Sequence, residues 1–211
     1  FKVVRIDLVG HGKSMTYNES DYSFENSINS IISIINKLKF RKVNILGYSL
    51  GGRISMHIAS TFQKKINNLI LCSASYGLEN PEEKKKRINS DQKLISLLEE
   101  KGIKDFVNYW ESIPLWESEN KLPLEKRTKH KKIRLENNPL GLAMNLKNQG
   151  QGKQNNLLPE LQKIDTKTLI LYGSNDEKYK IISKKLSNSI RKSKTIMVPE
   201  SGHNIILENP I

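Results

Sequence analysis

The sequence predicts an α/β protein: a mostly parallel β-sheet flanked by helices and interrupted once by a helical insertion. Two observations carry this. Short β-branched apolar runs recur at residues 1–8 (FKVVRIDL), 42–48 (KVNILGY), 67–73 (NNLILCS), 167–173 (KTLILYG) and 194–199 (KTIMVP). Apolar runs without polar alternation suit strands buried on both faces, as strands of a parallel sheet are. Between the first two runs, Ile28, Ile31, Ile32, Ile35 and Leu38 recur at helical spacing and form one apolar stripe. Strand, helix and strand in that order imply a right-handed parallel crossover.

Each element has local signals. Ser23 is a suitable N-cap for the first helix, and Glu25 places a carboxylate in its first turn. Between residues 76 and 160 the strand–helix alternation stops. This stretch is charged and helical, punctuated by Pro81, Pro114, Pro123, Pro139 and Pro159. Its apolar residues are sparse but include Trp110, Leu115 and Trp116. The expected organisation is therefore a sheet core made of residues 1–75 and 161–211, with residues 76–160 inserted as a helical cap. The chain opens directly on the strand-like Phe1-Lys2-Val3-Val4 and closes on Glu208-Asn209-Pro210-Ile211. A core truncated at both ends, without its first strands, is the expectation.

Bulk composition narrows the function. A chain of 211 residues can bury one sizeable core. No stretch approaches the ~18 consecutive apolar residues of a membrane span. The single cysteine, Cys72, excludes an intrachain disulfide framework. It lies in the apolar run Leu69-Ile70-Leu71-Cys72, as a small buried thiol would, and suits a reducing, cytoplasmic setting. The net charge of +13 raises the question of nucleic acid, but the basic residues are scattered and not gathered into one aromatic-interleaved stripe. No specific nucleic-acid partner is expected, and a monomer or weak homo-oligomer is.

The chemistry starts at Gly47-Tyr48-Ser49-Leu50-Gly51, a G-x-S-x-G segment that follows one predicted strand and opens a predicted helix. In that context the serine becomes a nucleophile or base presented on a sharp strand-to-helix turn. Side chains two residues to either side of Ser49 are expected to collide across so tight a turn. The N–H of Leu50, at the helix N-terminus, is the expected oxyanion donor.

A serine hydroxyl needs a histidine, and the histidine needs an orienting carboxylate. His203, in Glu200-Ser201-Gly202-His203-Asn204, follows the last predicted strand; Asp176, in Tyr172-Gly173-Ser174-Asn175-Asp176, follows the one before it. The order Ser, Asp, His and the common strand-end location define the expected triad Ser49, Asp176 and His203. Glu177 is the alternative acid. His11 in Gly10-His11-Gly12 reads as structural, His57 as a face of the helix after Ser49, and His130, in the basic stretch 126–132, as solvated. Gly12-Lys13-Ser14 resembles the end of a phosphate loop, but such a loop needs a glycine where Asp7 stands.

Asp7-Leu8-Val9-Gly10-His11-Gly12-Lys13-Ser14, Gly47-Tyr48-Ser49-Leu50-Gly51-Gly52-Arg53 and Gly202-His203-Asn204 resemble the α/β-hydrolase superfamily. Within it, the sequence resembles the 2-succinyl-6-hydroxy-2,4-cyclohexadiene-1-carboxylate synthase family of menaquinone and phylloquinone biosynthesis. Glu82 to Arg87 followed by Ser90-Asp91, Phe106-Val107-Asn108-Tyr109-Trp110 followed by Pro114-Leu115, and Gly150-Gln151-Gly152-Lys153-Gln154 carry that resemblance. Gln151 departs from it, standing where the family usually has Thr, and Ile206 stands where it usually has a second histidine. The resemblance implies an α/β-hydrolase fold and a lyase. The substrate would be the polycarboxylate 2-succinyl-5-enolpyruvyl-6-hydroxy-3-cyclohexene-1-carboxylate, and pyruvate would be eliminated without any metal or organic cofactor. It also implies substrate-binding roles for Tyr48, Arg53, Arg87, Trp110 and Arg134, and a second oxyanion donor from a loop upstream of Phe1. The same triad equally suits a serine hydrolase, either a carboxylesterase or a carbon–carbon bond hydrolase, as the alternative.

Overall fold

The computed structural model describes residues 2–210. Four strands, β1 (Val43–Tyr48), β2 (Ile66–Cys72), β3 (Lys167–Gly173) and β4 (Ser193–Val198), form one all-parallel sheet in the order β1-β2-β3-β4. Helix α1 (Phe24–Lys37) precedes β1, α2 (Leu50–Thr61) joins β1 to β2, and α7 (Glu177–Ser189) joins β3 to β4. α2 packs along β1 and β2, and α7 along β3 and β4. The Asn26 N–H donates to Ser23 Oγ at 3.0 Å, so the expected cap of α1 is formed, and Ile28, Ile32 and Ile35 of its stripe are buried.

Between β2 and β3 the chain is helical. The run α3 (Pro81–Ser112) consists of two helices meeting at Gly102, whose φ of +77° breaks the spiral. A short 3-10 segment (Pro114–Lys121), α4 (Leu124–Leu135), α5 (Pro139–Gln149) and α6 (Leu158–Leu161) follow. Proline opens most of these elements, where its missing N–H costs nothing. Asn80 and Asn138 accept from the first N–H groups of α3 and α5. No helix among the described residues is long and apolar enough to cross a membrane.

Two compact units result. One comprises residues 28–77, 112–123 and 155–211 and contains the whole sheet; the other comprises residues 1–27, 78–111 and 124–154. The sheet unit is built on Leu69, Leu71 and Ile170, with Met56, Leu161 and Leu186 packed around them. The helical unit has its own cluster of Leu94, Ile95, Leu98, Phe106, Val107 and Ala143. Residues 1–27 thus group with the helices rather than with the sheet, and residues 112–123 with the sheet.

Two sequence expectations are corrected. Residues 2–8 form no strand; Val3, Val4 and Ile6 are 81%, 43% and 37% exposed. An apolar run specifies a wish for burial, but a strand also needs a ladder partner, and this segment finds none among the described residues. Burial on both faces holds for β2 but not for the edge strands β1 and β4, where Leu46, Ile196 and Met197 are exposed. Leu71→Ala is expected to cost about 2–5 kcal/mol in urea unfolding, whereas Ile181→Ala on the exposed face of α7 should stay within about 0.5 kcal/mol.

Candidate active site

The parallel register brings strand ends together. Tyr48 pairs with Cys72, Cys72 with Leu171, and Gly173 with Val198, so β1, β3 and β4 all release their chains at the same sheet edge. Ser49 leaves β1 there and caps α2 with φ +46° and ψ −107°. Such a backbone is strained for a residue with a Cβ and needs surrounding structure to hold it. Two hydrogen bonds do so: the Ser49 N–H donates to the Cys72 carbonyl at 2.9 Å, and the Arg53 N–H to the Ser49 carbonyl at 3.1 Å.

The glycines around it divide differently from expectation. A Cβ on Gly47 would strike the Gly51 carbonyl oxygen and Ser55 Oγ, which itself bonds that carbonyl at 2.7 Å. A Cβ on Gly51 would meet nothing within 4 Å. The collision expected at Gly51 falls instead on Gly52, where a Cβ would strike that of Ala74. The first turn of α2 rotates position 51 into open space and position 52 against the segment that follows β2.

Asp176 caps α7, its Oδ1 accepting from the Tyr179 N–H at 3.1 Å. Its Oδ2 lies 3.0 Å from His203 Nδ1, and His203 Nε2 lies 3.1 Å from Ser49 Oγ. Both carboxylate oxygens are therefore committed, which fixes the plane that the imidazole meets. A ring held this way donates from Nδ1 and leaves Nε2 to accept the serine proton. Asp176 and His203 are both buried. Glu177, the alternative acid, points to solvent and pairs with Lys180.

Aromatic rings enclose the imidazole. Tyr179 lies 4.5 Å away between centroids, Trp116 meets it edge-on at 5.4 Å, and Tyr48 lies at 5.5 Å. A cavity of about 230 Å³ opens beside it, lined by Leu115, Ser118, Lys121, Asn175, Asp176 and His203 among others. Its walls are largely polar, with Glu117, Lys121, Asn175 and Glu177 among them and Pro114 and Leu115 as the apolar part. Leu50, the expected oxyanion donor, is the first residue of α2, where N–H groups have no intrahelical acceptor.

The remaining expected residues are placed as follows. Arg53 lies one turn into α2 from Ser49. Within the helical unit, Arg87 Nε donates to the buried Asp91 at 2.8 Å and Nη1 to Gln151 at 2.8 Å, so it is held rather than loosely solvated. Arg134 pairs with Glu111 at 3.0 Å. Trp110 stacks on Phe106 at 5.7 Å and joins the apolar cluster of that unit.

The other histidines differ from His203. Burial lowers the His11 pKa, and its ring lies near the Val9 carbonyl. Desolvation, aided by the Arg53 charge, pushes His57 down to about 4. Burial raises the Cys72 thiol to about 11, which makes it inert. Asp7, which stands where a phosphate loop needs glycine, accepts from the Lys13 N–H at 3.1 Å and closes that turn. Among the described residues, no group of three or more His, Cys, Asp or Glu side chains could hold a metal ion.

Trp116, Tyr179, Glu119 and Glu208 were not anticipated as neighbours of the histidine loop. Asn204 Nδ2 donates to the buried Glu119 at 2.9 Å, and Glu208 accepts from N–H groups on both sides of His203. Asn204 followed by Glu208 is the one signal available in sequence, a loosened version of the helix-capping box.

Fold, strand-end serine, buried His–Asp pair and enclosing rings together define an α/β-hydrolase-type site. The chain belongs to the alpha/beta hydrolase fold family, whose sequence model matches residues 1–210. Within that family it is similar to a Bacillus subtilis protein named "Putative 2-succinyl-6-hydroxy-2,4-cyclohexadiene-1-carboxylate synthase", with 34% identity covering 99% of this chain and 77% of that one. It is likewise similar to the structure of MenH from S. aureus, at 35% identity and a TM-score of 0.93, covering 97% of this chain and 77% of that one. A thermophilic esterase from Thermogutta terrifontis shares the fold at 23% identity and a TM-score of 0.82, covering 97% of this chain and 73% of that one.

Two measurements check the site's construction. Gly47→Ala should cost several kcal/mol, since backbone and a bonded hydroxyl must move. Gly51→Ala should leave stability unchanged or raise it by about 0.5–1 kcal/mol, because alanine suits a helix better than glycine. Chemical denaturation of both variants tests this. His57 favours its neutral form in the fold, so its contribution is present above pH 6.5 and is lost as pH falls towards 4. Discounted for partial exposure, the loss is about 2 kcal/mol, and His57→Gln should flatten the stability–pH curve across that window.

Proposed function

We propose that the protein is a lyase that converts 2-succinyl-5-enolpyruvyl-6-hydroxy-3-cyclohexene-1-carboxylate into 2-succinyl-6-hydroxy-2,4-cyclohexadiene-1-carboxylate and pyruvate. The observation that carries this reading is the unbroken Ser49–His203–Asp176 hydrogen-bond chain. It sits in a chain whose relatives are named for making that product.

The bond changes follow from the two structures. The ring carbon bearing the succinyl group carries a proton acidified by the adjacent ketone. His203 Nε2 draws the proton from Ser49 Oγ, and the serine oxygen takes the ring proton. The released electron pair forms the C2–C3 double bond, the C3–C4 double bond moves to C4–C5, and the C5–O bond breaks. The departing enolpyruvate takes up a proton at carbon and becomes pyruvate, so atoms and charge balance. The triad acts here as a base, with no acyl-enzyme. Asp176 holds the imidazole in the correct tautomer and stabilises the imidazolium that forms. The Leu50 N–H, at the positive end of α2, stabilises the negative charge that develops on the ketone oxygen.

The substrate carries several carboxylates, and guanidinium groups bind these through paired, charge-assisted hydrogen bonds. Substrate-binding roles are proposed for Arg53, Arg87 and Arg134 on that ground, and for Tyr48 and Trp110. Arg87 and Arg134 each pair with a carboxylate, Asp91 and Glu111, with which a substrate carboxylate would share the guanidinium donors. The protein works in the cytoplasm as a monomer or weak homo-oligomer, and its scattered positive charge serves no specific nucleic acid.

The test is pyruvate release from the enolpyruvyl precursor. Ser49→Ala should lose about 10²–10⁴-fold in kcat, and Asp176→Asn about 100-fold or more, through loss of the tautomer. Undiminished release by Ser49→Ala would overturn the reading.

A further inference from the structure

His203 is gripped through its backbone as well as its ring. The Gly202 N–H donates to Glu208 Oε2 at 2.8 Å, and the Asn204 N–H to Glu208 Oε1 at 3.1 Å. One carboxylate therefore ties down the two amides that flank the histidine. Charge-assisted bonds of this kind are about twice as strong as neutral ones. A second carboxylate, the buried Glu119, accepts from Asn204 Nδ2 at 2.9 Å. Ser118, the neighbour of Glu119, packs so closely on Gly202 that a Cβ there would strike its hydroxyl. Glu208, Glu119 and Ser118 thus restrain the loop at Gly202 and Asn204.

We propose that Glu208 is a positioning residue for the triad, fixing the backbone of His203 so that Nε2 stays within reach of Ser49 Oγ. This rests on the triad role of Ser49 and His203 given above. The physical requirement is geometric. Asp176 meets the imidazole at Nδ1 and orients the ring, but a ring can be well oriented and still lie too far from the serine. The distance of Nε2 from Oγ is set by where the loop Gly202–Asn204 sits, and Glu208 is the side chain that bridges both ends of that loop. A displacement of about 1 Å in such a group can cost 10²-fold in rate.

A helix cap alone would explain the same two bonds, because Asn204 also begins α8 (Ile205–Glu208). The two roles differ in what they move. A cap changes stability; a positioning residue changes the reactivity of Ser49 in protein that remains folded.

The experiment measures Ser49 labelling by a fluorophosphonate, which reports serine activation whatever the natural reaction is. Pyruvate kinetics and melting temperature are recorded alongside. Glu208→Ala removes both bonds. Glu208→Gln keeps the side-chain volume and one acceptor while turning an N–H donor towards a backbone N–H, and it carries the test if the alanine variant does not fold. Folded Glu208→Gln should label at least tenfold more slowly than wild type, with kcat reduced comparably and KM within about twofold. An unchanged labelling rate in folded Glu208→Gln, with or without a lower melting temperature, would reduce Glu208 to a helix cap and overturn the proposal. Failure of wild-type protein to label at all, or labelling that survives Ser49→Ala, would instead overturn the triad reading beneath it.

Discussion

A 3.1 Å contact between Ser49 Oγ and His203 Nε2 joins residues 154 positions apart, and most of the sheet unit exists to hold it. Neither residue belongs to a strand. Each emerges from the end of one, and the contact forms only because β1, β3 and β4 are parallel and in register. A single-residue slip would reverse every strand side chain and carry the strand ends apart. The apolar cluster around Leu69, Leu71 and Ile170 therefore serves the chemistry indirectly, by specifying register.

Strain at one end of this contact is balanced by constraint at the other. Ser49 sits at φ +46°, held from beneath by the Cys72 carbonyl and from α2 by the Arg53 N–H. His203 has no such strain; it is confined by Asp176 at one nitrogen, by three aromatic rings, and by carboxylates on its backbone loop. The same burial separates it from His57. That ring lies where desolvation and the Arg53 charge, outweighing the nearby Glu160 carboxylate, keep it neutral. A buried histidine next to a cation is a packing residue, whereas one bonded to a carboxylate is suited to proton transfer.

The strands that matter for the site were legible in sequence because parallel strands write themselves as apolar runs, and 42–48, 67–73, 167–173 and 194–199 each became one. The run at 1–8 carries the same pattern, yet residues 2–8 form no strand; hydropathy reports a preference for burial and says nothing of whether a ladder partner is present. Ser49, Asp176 and His203 were legible because each combines a turn signal with a position just after a strand. Gly51 was misread, since its spacing from Ser49 mirrors that of Gly47. Only the handedness of the first turn of α2 shows that position 52, not 51, faces an obstacle. Glu119 and Glu208 were not legible as neighbours of His203. Their roles depend on how a 3-10 segment and a four-residue helix fold back on one loop, and no periodic pattern encodes that.

The central claim is that this triad removes a proton and does not acylate. Deuterium at the ring carbon bearing the succinyl group tests it most directly. The account predicts a primary isotope effect on pyruvate release measured under single-turnover conditions, with the mass of the protein unchanged during turnover. No isotope effect, together with an adduct on Ser49, would contradict it.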